Sequence, residues 1–164
     1  MAKAVTGYTR TQIFLHWTIA ALFIFQIVAH EGMEEAWDAV REGTYTAPGA
    51  GAIAHIAAGI VILLLALWRI SLIVKRGTPA LPENESKAMK ILAHIVQGLL
   101  YLVMLVMPIS GLMAWFGGVD FGMVVHGAVK YVMLPAIILH VAGALAHKFV
   151  FKSGVMERMV RPQA

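Results

Sequence analysis

The stretch MVVHGAVKYVMLPAIILHVAGALAHKFVF, Met123 to Phe151, is the last apolar run of the chain and carries His126, His140 and His147. The steps between these histidines, 14 and 7 residues, are close to whole helical turns, so the three imidazoles stay near one stripe of a helix. At about 1.5 Å per residue, His126 and His140 stand about 21 Å apart along the axis. In a bilayer whose apolar core is about 30 Å thick, that spacing sets one imidazole toward each face. Such a helix is a wall shared by two sites, and other segments must supply the second group of each.

The rest of the chain supports a membrane reading. Of 164 residues, 60% are hydrophobic and 13% charged, and the mean hydropathy is +0.77. A soluble domain carries about twice that share of charge. The expectation is an all-α membrane protein, one domain over residues 1–164, with no separate soluble part. The absence of cysteine excludes disulfides, thiolate-held iron–sulfur clusters and c-type haem attachment. The formal net charge of +4 is not read as a nucleic-acid signal, because in a membrane chain the distribution of charge matters more than its sum.

Four spans follow from the hydropathy pattern. The first, Thr11 to His30, is longer than the apolar core of a signal peptide and lacks a small-x-small cleavage site after it, so it reads as a retained span. Glu31 to Gly49 is an acidic loop with room for a short amphipathic helix around Met33 to Val40. The second span runs from Gly51 to Val74, and Gly77 to Glu85, with Pro79 and Pro82, is a turn-rich connection. The third runs from Lys87 to Trp115, with Pro108 and Gly111 as kink positions. Phe116 to Gly122 is a turn into the fourth span, and Val155, Met156 and Met159 suggest an interfacial turn in the tail. Lys3, Arg10, Lys75, Arg76, Lys87, Lys90, Lys148, Lys152, Arg158 and Arg161 fall on one face and the opposite loops are acidic. The positive-inside rule then makes the bundle a four-helix one with both termini cytoplasmic.

Counting inward from these charges pairs the histidines by depth. His16 and His140 lie about 9 and 12 Å from the basic face, while His55 and His126 both lie about 30 Å from it. Two His–His pairs at two levels of a helical bundle fit two b-type haems, each iron held by one imidazole from either side. Small residues beside two of them, Ala57, Ala58 and Gly59 after His55 and Ala142, Gly143 and Ala144 after His140, let a flat macrocycle lie close, although small residues also pack membrane helices together. Structural or metal-binding histidines in a non-redox membrane protein are the alternative, but a zinc site gathers its ligands at one level rather than two. His30 borders the acidic loop and rivals His55 as a ligand, and His94 lies near the basic face. Arg69, inside the second span, pairs with a haem propionate or snorkels to the interface. Lys130, one turn after His126, pairs with a propionate, attracts a small anion, or snorkels. His147 hydrogen-bonds a quinone carbonyl or anchors the helix end.

The chain resembles the bacterial cytochrome b561 family, small dihaem b-type cytochromes of the inner membrane, over nearly its whole length. The likeness rests on Leu15-His16-Trp17, His55 with Gly59, Arg69, and Ala93-His94 followed by Tyr101. It rests also on Pro108-x-x-Gly111, on His126 fourteen residues before His140, and on Ala144-Leu145-Ala146-His147-Lys148. The resemblance implies two haem b (protohaem IX) groups with His16, His55, His126 and His140 as the axial iron ligands. One branch of the family oxidises superoxide at the periplasmic face and reduces ubiquinone near the cytoplasmic face. By that likeness His147 lines a quinone site, with Gln97 at the third-helix position and Lys87 the lysine closest to the loop position near Asn84. Lys130 is the candidate for attracting superoxide. Other relatives exchange electrons between quinol and a partner redox protein, which is the rival expectation.

Overall fold

In the computed structural model, which describes residues 5–162, the apolar runs are helices. They are α1 (Arg10–Val28), α2 (Glu31–Glu42), α3 (Ala50–Arg76), α4 (Lys87–Gly117) and α5 (Asp120–Phe149), with a short 3-10 turn at Glu157–Met159. Four of them, α1, α3, α4 and α5, are long and apolar enough to cross a membrane, and no strand occurs among the described residues. The expected all-helical protein with four spans is what this chain forms. Lys75, Arg76, Lys87, Lys90 and Lys148 collect at one end of the helices, here the basic end, and the carboxylates of α2 and Asp120 mark the acidic end. Lys3, counted with the basic face, lies outside the described residues.

Local chemistry sets the helix boundaries. Thr9 and Gln12 cap α1 reciprocally: the Thr9 side chain accepts from the Gln12 amide, and the Gln12 side chain accepts from the Thr9 amide. Ser86 caps α4 by accepting from the Met89 N–H. The turn expected over Phe116 to Gly122 is shorter, because α5 already starts at Asp120, whose carboxylate suits the positive end of the helix dipole. Pro108 and Gly111 do not interrupt α4, which continues through both. The short amphipathic helix for which the sequence leaves room around Met33 to Val40 is present as α2, 12 residues long. Its start lies against α3 where Gly32 and Gly51 meet: a Cβ on Gly32 would stand 2.9 Å from the Gly51 Cα.

The spans turn much of their apolar surface outward. Phe14, Trp68, Phe121 and Tyr131 are exposed, whereas the interior is limited to residues such as Leu15, Ile19, Ala66, Met104 and Met133. In water such surface would be an association liability, but facing acyl chains it is solvated. The inward residues are mostly small or unbranched, which suits close helix approach without a hydrophobic drive between spans. Packing is uneven. Helix α1 packs on α3, α2 on α3, α3 on α4 and α4 on α5, whereas α5 makes no comparably close backbone contact with α1 or α3 among the described residues. Beyond α5 the chain is tied back: Trp17 Nε1 donates to the Met159 carbonyl at 2.7 Å and Arg158 Nη1 to the Ala80 carbonyl at 2.7 Å.

Candidate cofactor site

The gap that separates α5 from α1 and α3 is where the histidines meet. His16 on α1 faces His140 on α5 with ring centroids 6.0 Å apart. His55 on α3 faces His126 on α5 at 6.3 Å. The two levels, fourteen residues apart along α5, are separated by about 21 Å of helix. An imidazole nitrogen binds a metal at about 2.0–2.1 Å, and the ring centre lies about 1.1 Å behind that nitrogen. Two imidazoles on opposite sides of one iron therefore place their centres about 6.3 Å apart. Both pairs have the separation that axial ligation of a haem requires.

The surroundings of the acidic-end pair also suit a cofactor. A cavity of about 580 Å³ contains His55 and His126 in its lining, with Phe23, Gly59, Met107 and Gly127 among its walls. That size falls among cofactor sites, which run to about 300–1,000 Å³. His55 Nδ1 is buried with no protein partner, and the His55 backbone is held by Gln26, whose Nε2 donates to its carbonyl at 3.0 Å. His126 is oriented from behind: its Nδ1 lies 2.8 Å from the Met107 carbonyl, which can only accept. The proton must then sit on Nδ1, leaving Nε2 with the lone pair a metal needs. Ser110 Oγ donates to the same carbonyl at 3.0 Å.

Gly111 makes that orientation sterically feasible. A Cβ there would stand 3.1 Å from both Cε1 and Nδ1 of His126. Gly111→Ala is expected to displace the ring by a few tenths of an ångström and loosen its bond to Met107. Outer partners of metal-bound histidines are worth on the order of ten-fold or more in affinity. The acidic-end site should lose about ten-fold in haem retention, measured by haem transfer to an apo-acceptor, while the basic-end site is unchanged.

Other site candidates occupy unforeseen positions. Arg69 does not snorkel. It is 7% exposed and turns inward, its Nη1 donating to the Gln12 carbonyl at 2.7 Å and its Nε to Tyr101 Oη at 3.0 Å. Just ahead of α1, burial pushes the Tyr8 phenol above its usual pKa, against the lowering pull of Arg69. Lys130 Nζ lies 3.6 Å from Glu34 on α2, so its charge at the acidic end is partly neutralised. His30 also approaches Glu34, at 3.8 Å, and its Nδ1 contacts the Ile27 carbonyl at 2.9 Å.

At the basic end the three quinone candidates are not gathered. Lys87 and Gln97 are exposed on α4, as is His94, and their ten-residue separation amounts to about 15 Å along the helix. His147 is buried instead and uses both ring nitrogens: Nε2 lies 3.0 Å from Glu85 Oε1 and Nδ1 2.8 Å from Ser153 Oγ. Glu85 had drawn no attention in the sequence. Its only signal was an acid, one of two with Glu83, just before Ser86 in an otherwise basic region. Met107 and Ser110 were equally hidden, since a carbonyl that orients a histidine leaves no trace in residue type.

Comparison with known proteins agrees with this architecture. The Prokaryotic cytochrome b561 family model matches residues 7–162. The chain is 38% identical over 157 residues to cytochrome b562 of Cereibacter sphaeroides, covering 96% of this chain and 97% of that one. It is 26% identical over 178 aligned positions to a protein of Yersinia pestis described as probable superoxide oxidase CybB, covering 93% of this chain and 95% of that one. With four apolar helices and a match over almost its full length, the chain belongs to the prokaryotic cytochrome b561 family, multi-pass bacterial membrane electron-transfer proteins that carry haem b.

Proposed function

We propose that the protein conducts electrons across the bacterial inner membrane through two b haems, one held by His55 and His126 and the other by His16 and His140. The observation that carries this reading is the pair of facing imidazoles at each of two levels, 6.3 and 6.0 Å between centres. Bound there, haem b would supply reversible one-electron exchange, with the four histidines holding its iron and leaving no room for oxygen to bind it. The chain's own residues do the rest. His126 is held in one tautomer by Met107, Gln26 fixes the α3 backbone at His55, and the outward apolar faces keep the route in lipid. The basic face orients the termini toward the cytoplasm, so that the acidic end faces the periplasm.

Electron donor and acceptor follow from the two ends. Ubiquinone is the proposed acceptor at the basic end, where Lys87 and Gln97 lie apart on the surface of α4 and His147 is buried, and superoxide at the acidic end is the proposed donor, as the name of the Yersinia pestis relative suggests. Superoxide oxidation needs outer-sphere transfer and a local positive field, for which Lys130 is the candidate. The Lys130–Glu34 contact and the Glu34 and Asp38 carboxylates lining the same cavity favour a second reading, in which the acidic end exchanges electrons with another redox protein.

Enzymatically generated superoxide added to the purified protein separates the two. Rapid haem reduction, with added ubiquinone consumed and superoxide dismutase abolishing the effect, supports the enzyme. Haem that stays oxidised until a protein donor is supplied supports the carrier. In either case His147→Ala is expected to keep both haems and slow quinone reduction by about a hundred-fold or more, the range for losing a positioned acid–base group. Unchanged quinone kinetics would remove His147 from the site.

A further inference from the structure

We infer that Glu85, His147 and Ser153 form a buried proton-exchange site that takes up a proton when an electron reaches the haem held by His16 and His140. The inference rests on that haem being present. The side chains of Glu85 and His147 are 8% and 10% exposed, whereas the neighbouring carboxylates of Glu83 and Glu157 lie at the surface. Carboxylate and imidazole are joined at 3.0 Å through Nε2, and the opposite nitrogen meets the Ser153 hydroxyl at 2.8 Å.

This hydrogen-bond arrangement is satisfied in two protonation states. With imidazole neutral, Nε2–H donates to Glu85 and Nδ1 accepts from the Ser153 hydroxyl. With imidazole protonated, Nε2–H still donates to Glu85, and the Ser153 hydroxyl rotates so that its oxygen accepts from Nδ1–H. A hydroxyl can serve as donor or acceptor, so the proton enters without movement of any heavy atom. The neutral-imidazole state leaves a net buried negative charge on Glu85, and uptake of a proton cancels it, which removes a costly unpaired charge. Glu85 Oε2, buried without a protein partner, offers a further acceptor on the same carboxylate.

The location links this pair to electron arrival. His147 follows His140 by seven residues on α5, about 10.5 Å along the axis and on nearly the same stripe. At that distance in a medium of low dielectric, an electron added between His16 and His140 raises the proton affinity of the pair, and a proton bound at the pair makes electron addition easier. The balance is one electron from a one-electron donor against one proton from the water at the basic end, with no other bond made or broken. The remaining titratable and charged groups on the elements around this end are Tyr8 ahead of α1, Arg10 at its start, Arg69, Lys75 and Arg76 on α3, and Glu83 in the connection after it. On α4 they are Lys87, Lys90 and His94, and on α5 and beyond Lys148, Lys152, Glu157, Arg158 and Arg161. Among the described residues, none forms an ion pair with Glu85 or His147. Arg69 is bound to Gln12 and Tyr101, Lys90 donates to the Glu83 carbonyl at 3.3 Å, and Arg158 donates to Ala80.

The test is equilibrium redox titration of the purified haem-loaded protein over a series of pH values, with haem counted per chain in each sample. Glu85→Gln, which keeps the shape and a hydrogen-bonding oxygen but cannot ionise, is compared with the natural chain. The basic-end haem, identified by its loss in His140→Ala, is expected to fall in midpoint potential as pH rises, toward one proton per electron. In Glu85→Gln that slope should flatten while the acidic-end haem is unaffected. Should Glu85→Gln fail to accumulate, His147→Gln carries the same expectation. Two haems per chain with the same pH slope in the variant overturn the proton-exchange site alone. Fewer than two haems in the natural chain overturn the reading beneath it.

Discussion

Replacing His140 by alanine is expected to leave one b haem per chain in place of two, with the acidic-end haem intact. The reason is geometric. His16 and His140 approach each other across the gap between α1 and α5, at 6.0 Å between ring centres, and among the described residues no other histidine ring contacts either. His147 is two turns farther along α5 and is committed to Glu85 and Ser153. Without the His140 imidazole, only His16 would remain at that level to hold a haem, with a cavity where the other ring stood. Metal sites lose most of their affinity when a ligand is removed, because the site is organised around ligand number and geometry. His126→Ala should remove the other haem by the same logic, and His94→Ala neither, because that ring is exposed on α4. A pyridine haemochrome assay on purified variants reads the result. Two low-spin haems persisting in His140→Ala would overturn the pairing.

Gly122→Ala is expected to be strongly damaging for so small a substitution. A Cβ at this position would stand 2.8 Å from the Ser110 carbonyl oxygen and 2.9 Å from the Ala114 amide nitrogen. Both are backbone atoms of α4, so no side-chain rotation relieves the contact and α5 must move away from α4. Overpacking of this kind costs about 1–3 kcal/mol. The displacement is centred on the turn of α4 that also holds Met107, Ser110 and Gly111, the groups that set the His126 ring. The expected outcome is a lower midpoint in thermal unfolding in detergent, with the acidic-end haem lost before the basic-end one. Gly98→Ala, whose Cβ would meet nothing within 4 Å, is the matched control. Equal midpoints for the two variants would show that α4 and α5 can slide to absorb the methyl group.

These two experiments probe features of different legibility. The histidine pairs could be read from the sequence because membrane depth is a linear function of residue number in a helix, and the basic residues mark the origin of the count. The same reasoning gave the four spans, since backbone groups in lipid must be paired within their own helix. Helix ends were less legible. The start of α5 moved from Met123 to Asp120 because a terminal carboxylate is favoured by the helix dipole, an effect weaker than hydropathy in a sequence pattern. Arg69 and Lys130 could be recognised as charges needing partners, but the partners themselves, Tyr101 with the Gln12 carbonyl and Glu34, lie on other elements.

The sequence by itself determined an all-helical membrane protein, its spans, and which histidines share a depth, because all of these depend on one-dimensional periodicity and on the transfer of residues between water and lipid. The tertiary structure alone decided that α5 stands apart from α1 and α3, leaving gaps bridged by imidazoles. It alone decided that the Met107 carbonyl orients His126, that Gly122 lets α4 and α5 touch, and that Glu85 folds in beside His147. Each of these is a contact between residues far apart in the chain, fixed by how helices pack against one another, and no residue's own chemistry announces its partner.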